Sequence, residues 1–125
     1  MNPATFKIEA QEDTPLVIFE KTEGKNVIVM KGILMPENAF DFFQPLSEKV
    51  FSFFENISNM TLDITLDYMN SMSNKQILKL IVSIYEKSND LKVIWRHKKD
   101  DELIKLKGEE FQSVFPNINI SIEAY

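Results

Sequence analysis

Residues 60–73 read Met60-Thr61-Leu62-Asp63-Ile64-Thr65-Leu66-Asp67-Tyr68-Met69-Asn70-Ser71-Met72-Ser73, and their pattern decides the fold. From Met60 to Asp67 the alternation is strict. Leu62, Ile64 and Leu66 fall on one side, and Thr61, Asp63, Thr65 and Asp67 on the other, which predicts a strand with one apolar and one polar face. Tyr68 to Asn74 is a run of turn and cap residues. Ile77, Leu78, Ile81, Ile84 and Tyr85 then recur at helical spacing. Ser73 with Gln76 three residues later fits a capping box, and Asn70 or Ser71 is placed to cap one turn earlier. A strand that feeds a helix through a short capped loop is the repeating unit of a parallel α/β sheet.

The same unit recurs on both sides of this stretch. Upstream, Leu16 to Phe19 and Val27 to Met30 are β-rich runs joined by a Gly-containing connection, which reads as a hairpin ending near Leu34. Met35-Pro36-Glu37-Asn38 breaks the chain and offers Asn38 as a helix cap. A helix is expected from Ala39 to Asn56, with Phe40, Phe43, Val50 and Phe54 on one side and Phe42 and Phe53 partly off that stripe. Downstream, Leu91 to Trp95 reads as a strand and Arg96-His97-Lys98-Lys99 as a basic loop. Asp100, Asp101 and Glu102 load the N-terminus of a helix whose apolar side holds Leu103, Leu106 and Phe111. Pro116-Asn117 ends that helix, and Ile118, Ile120 and Ile122 alternate as a last strand. The order β-β-α-β-α-β-α-β predicts a mixed, mostly parallel sheet with an antiparallel hairpin at its N-terminal edge. Helices should cover mainly one face, because the strand at 60–67 keeps a polar side. Residues 1–13 read as a flexible arm and 14–125 as the single domain.

Composition excludes several chemistries. The 125 residues are 44% hydrophobic and 26% charged, enough for one buried core without a metal or disulfide staple. Cysteine is absent, so there is no thiol catalysis and no Cys-ligated metal, which fits a cytoplasmic protein. A net charge of −5 disfavours general nucleic-acid binding. No apolar run approaches ~18 residues, so no membrane insertion is expected. His97 is the lone histidine, and no serine or carboxylate can be set beside it from sequence. The glycines at 24, 32 and 108 form no phosphate loop. Asp63 and Asp67 lie about 13 Å apart at ~3.3 Å per residue, too far to share a proton or a metal.

The segment from Leu66 to Ser73 carries the strongest signal. Backbone N–H groups at a helix N-terminus favour an added anion. A phosphate on Ser71 would add about −1.5 to −2 charges there. Residue chemistry alone leaves two readings open, an ordinary capped helix start and a modification site.

The strand–Tyr68-Met69-Asn70-Ser71-Met72-Ser73–helix arrangement resembles the phosphorylation segment of STAS-type anti-sigma factor antagonists, in which an aromatic-Met-Asp-Ser-Ser-Gly run carries the regulatory serine. It is more similar still to the SiaC family of bacterial regulatory phosphoproteins. Thr14-Pro15, Gly32, Pro36-Glu37-Asn38, Leu66, Tyr68, Asn70, Ser71, Ser73 and Trp95 follow that family's pattern in order. The similarity spans about residues 14 to 123, nearly the whole domain.

The resemblance implies a non-enzymatic switch. A GHKL-type serine/threonine kinase would phosphorylate Ser71 and a PPM-type phosphatase would reverse it. The unphosphorylated form would bind and regulate an effector, by resemblance a diguanylate cyclase. The ATP belongs to the kinase, so no cofactor and no metal are expected in this chain. Asn70 and Ser73 are expected to position the loop, and Pro36, Glu37, Asn38, Tyr68 and Met69 to form the docking surface. Two other readings stand beside it. One is a small-molecule or lipid-binding STAS-like module with a pocket around Phe42 and Phe53. The other is an enzyme centred on His97 and Asp100 to Glu102.

Overall fold

The protein is described by a computed structural model covering residues 4–125. Its elements run β1 (Ala4–Ile8), β2 (Leu16–Thr22), β3 (Lys25–Leu34), α1 (Ala39–Phe53), β4 (Met60–Met69), α2 (Ser71–Lys87), β5 (Leu91–His97), α3 (Glu102–Val114) and β6 (Asn119–Ala124). They form one mixed sheet in the spatial order β1-β2-β3-β4-β5-β6. The β1–β2 and β2–β3 pairs are antiparallel, and every later pair is parallel. Because strands three to six are laid down in sequence order, three right-handed crossovers must place α1, α2 and α3 on the same face. The core lies between that face and the helices, and includes Phe19, Met30, Leu62, Ile64, Ile81, Val93, Trp95 and Phe111. Among the described residues no helix covers the other face. Across it run Ile18, Val29, Asp63, Ile94 and Ser121 in register, which explains the polar alternation of β4.

Several expectations need correction. Part of the expected flexible arm is a strand. Ala4–Ile8 pairs with β2 and sets Phe6 opposite Phe19 and Ile8 opposite Val17. The Phe6 ring lies 5.4 Å from Phe19 and 6.4 Å from Phe53, and the Lys49 ammonium sits 4.4 Å above it. Residues 1–3 of the expected arm lie outside the described residues. Helix α1 stops at Phe53, and Phe40 on it is exposed instead of lying in the core stripe.

At the other end, Arg96 and His97 belong to β5 and not to a loop. Arg96 lies on the face away from the helices and grips Asp63 with two bonds of 2.9 and 3.1 Å, and a third reaches Glu123 at 3.1 Å. Hydrogen bonding to Asp63 raises the guanidinium pKa, against the opposing desolvation, with a further contribution from the charges of Asp63 and Glu123. On α3 the buried side is Ile104, Gly108 and Phe111, while Leu103 is 74% exposed and Leu106 also faces out.

Gly108 explains that choice of face. A Cβ at this position would collide with the Trp95 indole and come within 2.7 Å of Ile122. The glycine therefore lets α3 lie directly on β5 and β6. The indole cannot yield easily. Its Nε1–H donates to the Ile104 carbonyl at 2.7 Å, and its ring meets Phe111 edge-on at 5.0 Å. Gly108→Ala gains about 1 kcal/mol of helix propensity but overpacks this contact, so a net loss of about 1–2 kcal/mol is expected. Urea unfolding followed by the emission of Trp95, the sole tryptophan, measures it. A midpoint equal to or above wild type would refute the packing argument.

Candidate functional site

The parallel strands β3, β4 and β5 all end on one side of the molecule, so the N-termini of α1, α2 and α3 gather there. Crossover loops at the C-terminal ends of parallel strands are where open α/β sheets place their functional groups. Asn38, Asn70 and Asp101 cap the three helices, each accepting a first-turn N–H at 3.0 to 3.1 Å.

Asn70 does more than cap. Its Oδ1 accepts from the Ser73 N–H at 3.0 Å, its Nδ2 donates to the Pro36 carbonyl at 3.2 Å, and its own N–H donates to the Leu34 carbonyl at 3.0 Å. One side chain thus ties the β3–α1 loop to the β4–α2 junction. The expected site residues divide accordingly. Asn70, Pro36 and Ser73 meet, with Pro36 and Ser73 buried. Ser73 contributes the capped N–H, while its hydroxyl is fully buried without a hydrogen-bond partner. Ser71 is the first residue of α2 and is exposed. Glu37, Asn38 and Tyr68 are exposed, whereas Met69 is buried with Pro36. Pro36 and Met69 therefore support the surface from beneath and do not present it.

A β-bulge produces this arrangement. Gly32 pairs with Leu66, but the next residue, Ile33, pairs with Tyr68, so Asp67 is extra. Strict alternation would have buried Tyr68 after Leu62, Ile64 and Leu66. The inserted residue reverses the phase, sending Tyr68 to the surface and Met69 into the core. Gly32 permits the irregularity with φ +128°, a conformation that L side chains rarely adopt.

Exposed apolar side chains stand among the polar ones at this end of the sheet. Tyr68 is 52% and Met72 59% exposed, and Ile33, Met35 and Phe40 are exposed on the adjoining β3 end, loop and α1 start. Ile33, Met35, Phe40 and Met72 were not among the sequence-derived site residues. Met72 could have been found, since it lies off the Ile77–Ile81–Ile84 stripe of α2. Electrostatics also single out this helix. The first turns of α1 and α3 carry Asp41 and Glu102, but α2 has no acidic residue in its first turn. The positive end of its dipole is left without a side-chain counter-charge.

The other sequence candidates are accounted for structurally. His97 is buried, and its Nδ1–H donates to the Lys98 carbonyl at 2.7 Å. Asp101 caps α3 and Glu102 occupies its first turn. Among the described residues no three His, Asp or Glu side chains converge as a metal site. Phe42 lines an open recess of about 360 Å³ between β1 and α1, together with Phe6, Ile8, Asp41, Pro45, Leu46 and Lys49. Phe53 is elsewhere, packed against Phe6, Phe19 and Phe54, so the two phenylalanines do not share a pocket.

Comparisons with known proteins converge on one family. The model of the SiaC family of regulatory phosphoproteins matches residues 8–125. Among solved structures, the chain is similar to SiaC of Pseudomonas aeruginosa in three determinations. In the complex of the diguanylate cyclase SiaD with its activator SiaC the identity is 21%, covering 96% of this chain and 99% of that one, with a TM-score of 0.79. A structure of SiaC matches at 20% identity, 98% and 99% coverage and TM-score 0.78. Apo-SiaC matches at 22% identity, 97% and 99% coverage and TM-score 0.74. No curated protein matches. With the family model spanning nearly the whole domain, the chain belongs to the SiaC family of regulatory phosphoproteins.

Proposed function

We propose that this protein is a non-enzymatic switch whose state is set by reversible phosphorylation of Ser71. The observation that carries the reading is the position of Ser71: exposed on the first residue of a helix that lacks an acidic first turn, and flanked by exposed Tyr68 and Met72. In the forward step a GHKL-type kinase binds ATP. The Ser71 Oγ forms a bond to the γ-phosphorus, the bond to the bridging β–γ oxygen breaks, ADP leaves and the hydroxyl proton passes to a base in the kinase. A PPM-type phosphatase returns the hydroxyl by metal-assisted attack of water, releasing phosphate. These partners place the cycle in the cytoplasm. Among the described residues no helix is long and apolar enough to cross a membrane.

The effector docks on the unphosphorylated surface, over Tyr68, Met72, Met35 and the exposed Glu37 and Asn38. Family membership, and the complex of the Pseudomonas protein with the cyclase it activates, support a diguanylate cyclase as effector. Phosphate on Ser71 would be stabilised by the helix end through about 0.3–1 kcal/mol of dipole interaction. Bringing the same dianion under an apolar partner would cost several kcal/mol. The phosphorylated form therefore keeps its fold and loses its partner.

Variants at Ser71 and Asn70 test this. Ser71→Ala should leave thermal stability within about 0.5 kcal/mol, since Asn70 and not Ser71 is the cap. The same variant should remove ³²P incorporation from ATP in native lysate and retain effector binding, while Ser71→Asp should lose it. Equal effector capture by the Ala and Asp forms would sink the switch. Asn70→Ala removes both the cap and the bond to Pro36, so unfolding should become easier by about 1–3 kcal/mol. Chemical denaturation measures this loss, and a change below about 0.5 kcal/mol would show that Asn70 does not hold the two loops together.

A further inference from the structure

Helix α3 spends apolar residues on two faces. Ile104, Gly108 and Phe111 point into the core, while Leu103, Leu106 and Val114 are exposed. Leu103, Lys107, Glu110 and Val114 follow one another at spacings of four, three and four, so they form a single line along the helix. Gln112, on the other flank, donates to the Ile120 carbonyl of β6. The line therefore runs along the flank away from β6, beside a shallow apolar recess that Phe115 shares with α2. Lone exposed leucines need no explanation, but a line with an exposed apolar residue at each end, on a helix that already has its core face, does.

The order of residue types along this line identifies what covers it. From one end to the other it reads apolar, basic, acidic, apolar. Both pairs, Leu103 with Val114 and Lys107 with Glu110, are symmetric about one point between Gly108 and Glu109. Turned through a two-fold axis at that point, the line matches itself. Leu103 of one copy faces Val114 of the second, Lys107 faces Glu110, and each contact occurs twice. A parallel arrangement would set Lys107 against Lys107 and Glu110 against Glu110. Within one chain the Lys107–Glu110 pair is stretched to 3.9 Å, so both groups are available to better partners. We infer that the α3 flank is a self-complementary surface on which two copies of this chain pair with their α3 helices antiparallel. A single helix line buries less than the ~1,200 Å² of stable complexes, so the association is weak and concentration-dependent. The inference does not depend on Ser71, which lies at the start of another helix.

Sedimentation velocity of the full chain from about 10 μM to about 1 mM reads the association directly. Wild type should move from monomer toward dimer over that range. Lys107→Glu and Glu110→Lys should each weaken dimerisation at least about fivefold, because attraction becomes repulsion at two symmetric contacts. The double reversal should recover wild-type affinity within about twofold. Leu103→Ser, at an exposed position, should remove dimerisation while the circular dichroism melt stays unchanged. A chain that is monomeric throughout overturns the inference, including when another protein proves to occupy the flank. So does a dimer indifferent to Leu103→Ser and both charge reversals.

Discussion

The right-handedness of β-α-β crossovers is the constraint on which everything else rests. Strands β3 to β6 are added one after another in a single direction, so each helix must return over the same face. One face then carries the entire core, and the other tolerates Asp63, Arg96 and Glu123 as a solvated charge network. The same constraint gathers the three helix N-termini at one end of the sheet. Only there does a residue at a helix start lie beside the loop that begins the preceding helix, and Asn70 uses that proximity to bond Pro36.

The surface at this end is set by a one-residue insertion. With Asp67 extra, Tyr68 is paired with Ile33 outside the core and Met69 replaces it inside. The core still receives an apolar side chain at this end of the strand, because the methionine takes the inward position that the tyrosine would have held. What changes is the exterior. An aromatic ring and Met72 flank Ser71, and flexible thioethers can conform to more than one partner shape.

Much of this was legible in the chain because β4 as far as Leu66, and α2 along its buried stripe, obey their periods. Leu62, Ile64 and Leu66 announce a one-faced strand, and Ile77, Ile81 and Ile84 a one-faced helix. The failures have physical causes. Strand β1 is five residues long with only two large apolar side chains, Phe6 and Ile8, and its stability comes from Phe19 and Phe53, contacts that no local window contains. Leu103 and Leu106 fit a helical period as well as Ile104 and Phe111 do. What selected the latter face was Gly108, whose value appears only once Trp95 lies against it. The exposure of Tyr68 was hidden for a similar reason, since a bulge is a relation between two strands. Family likeness suggested the role proposed for Ser71, which helix-start chemistry alone left undecided.

The proposed switch needs no second fold, and the energetics favour that economy. A phosphate at an exposed helix start keeps its water, adds the dipole interaction and disturbs no buried group. The hydroxyl of Ser73, two residues on, is already buried without a partner, so it can be neither modified nor solvated without opening the turn. Chemistry in this segment is thereby confined to one of two serines. The unmodified form, by contrast, leaves Met35, Tyr68 and Met72 in water, where burial under a partner is worth about 25 cal/mol per Å². Adding two charges beside those apolar side chains removes the gain from the partner and from nothing else. Discrimination between the two forms thus arises at the interface, while the stability of the domain continues to rest on the core beneath the three helices.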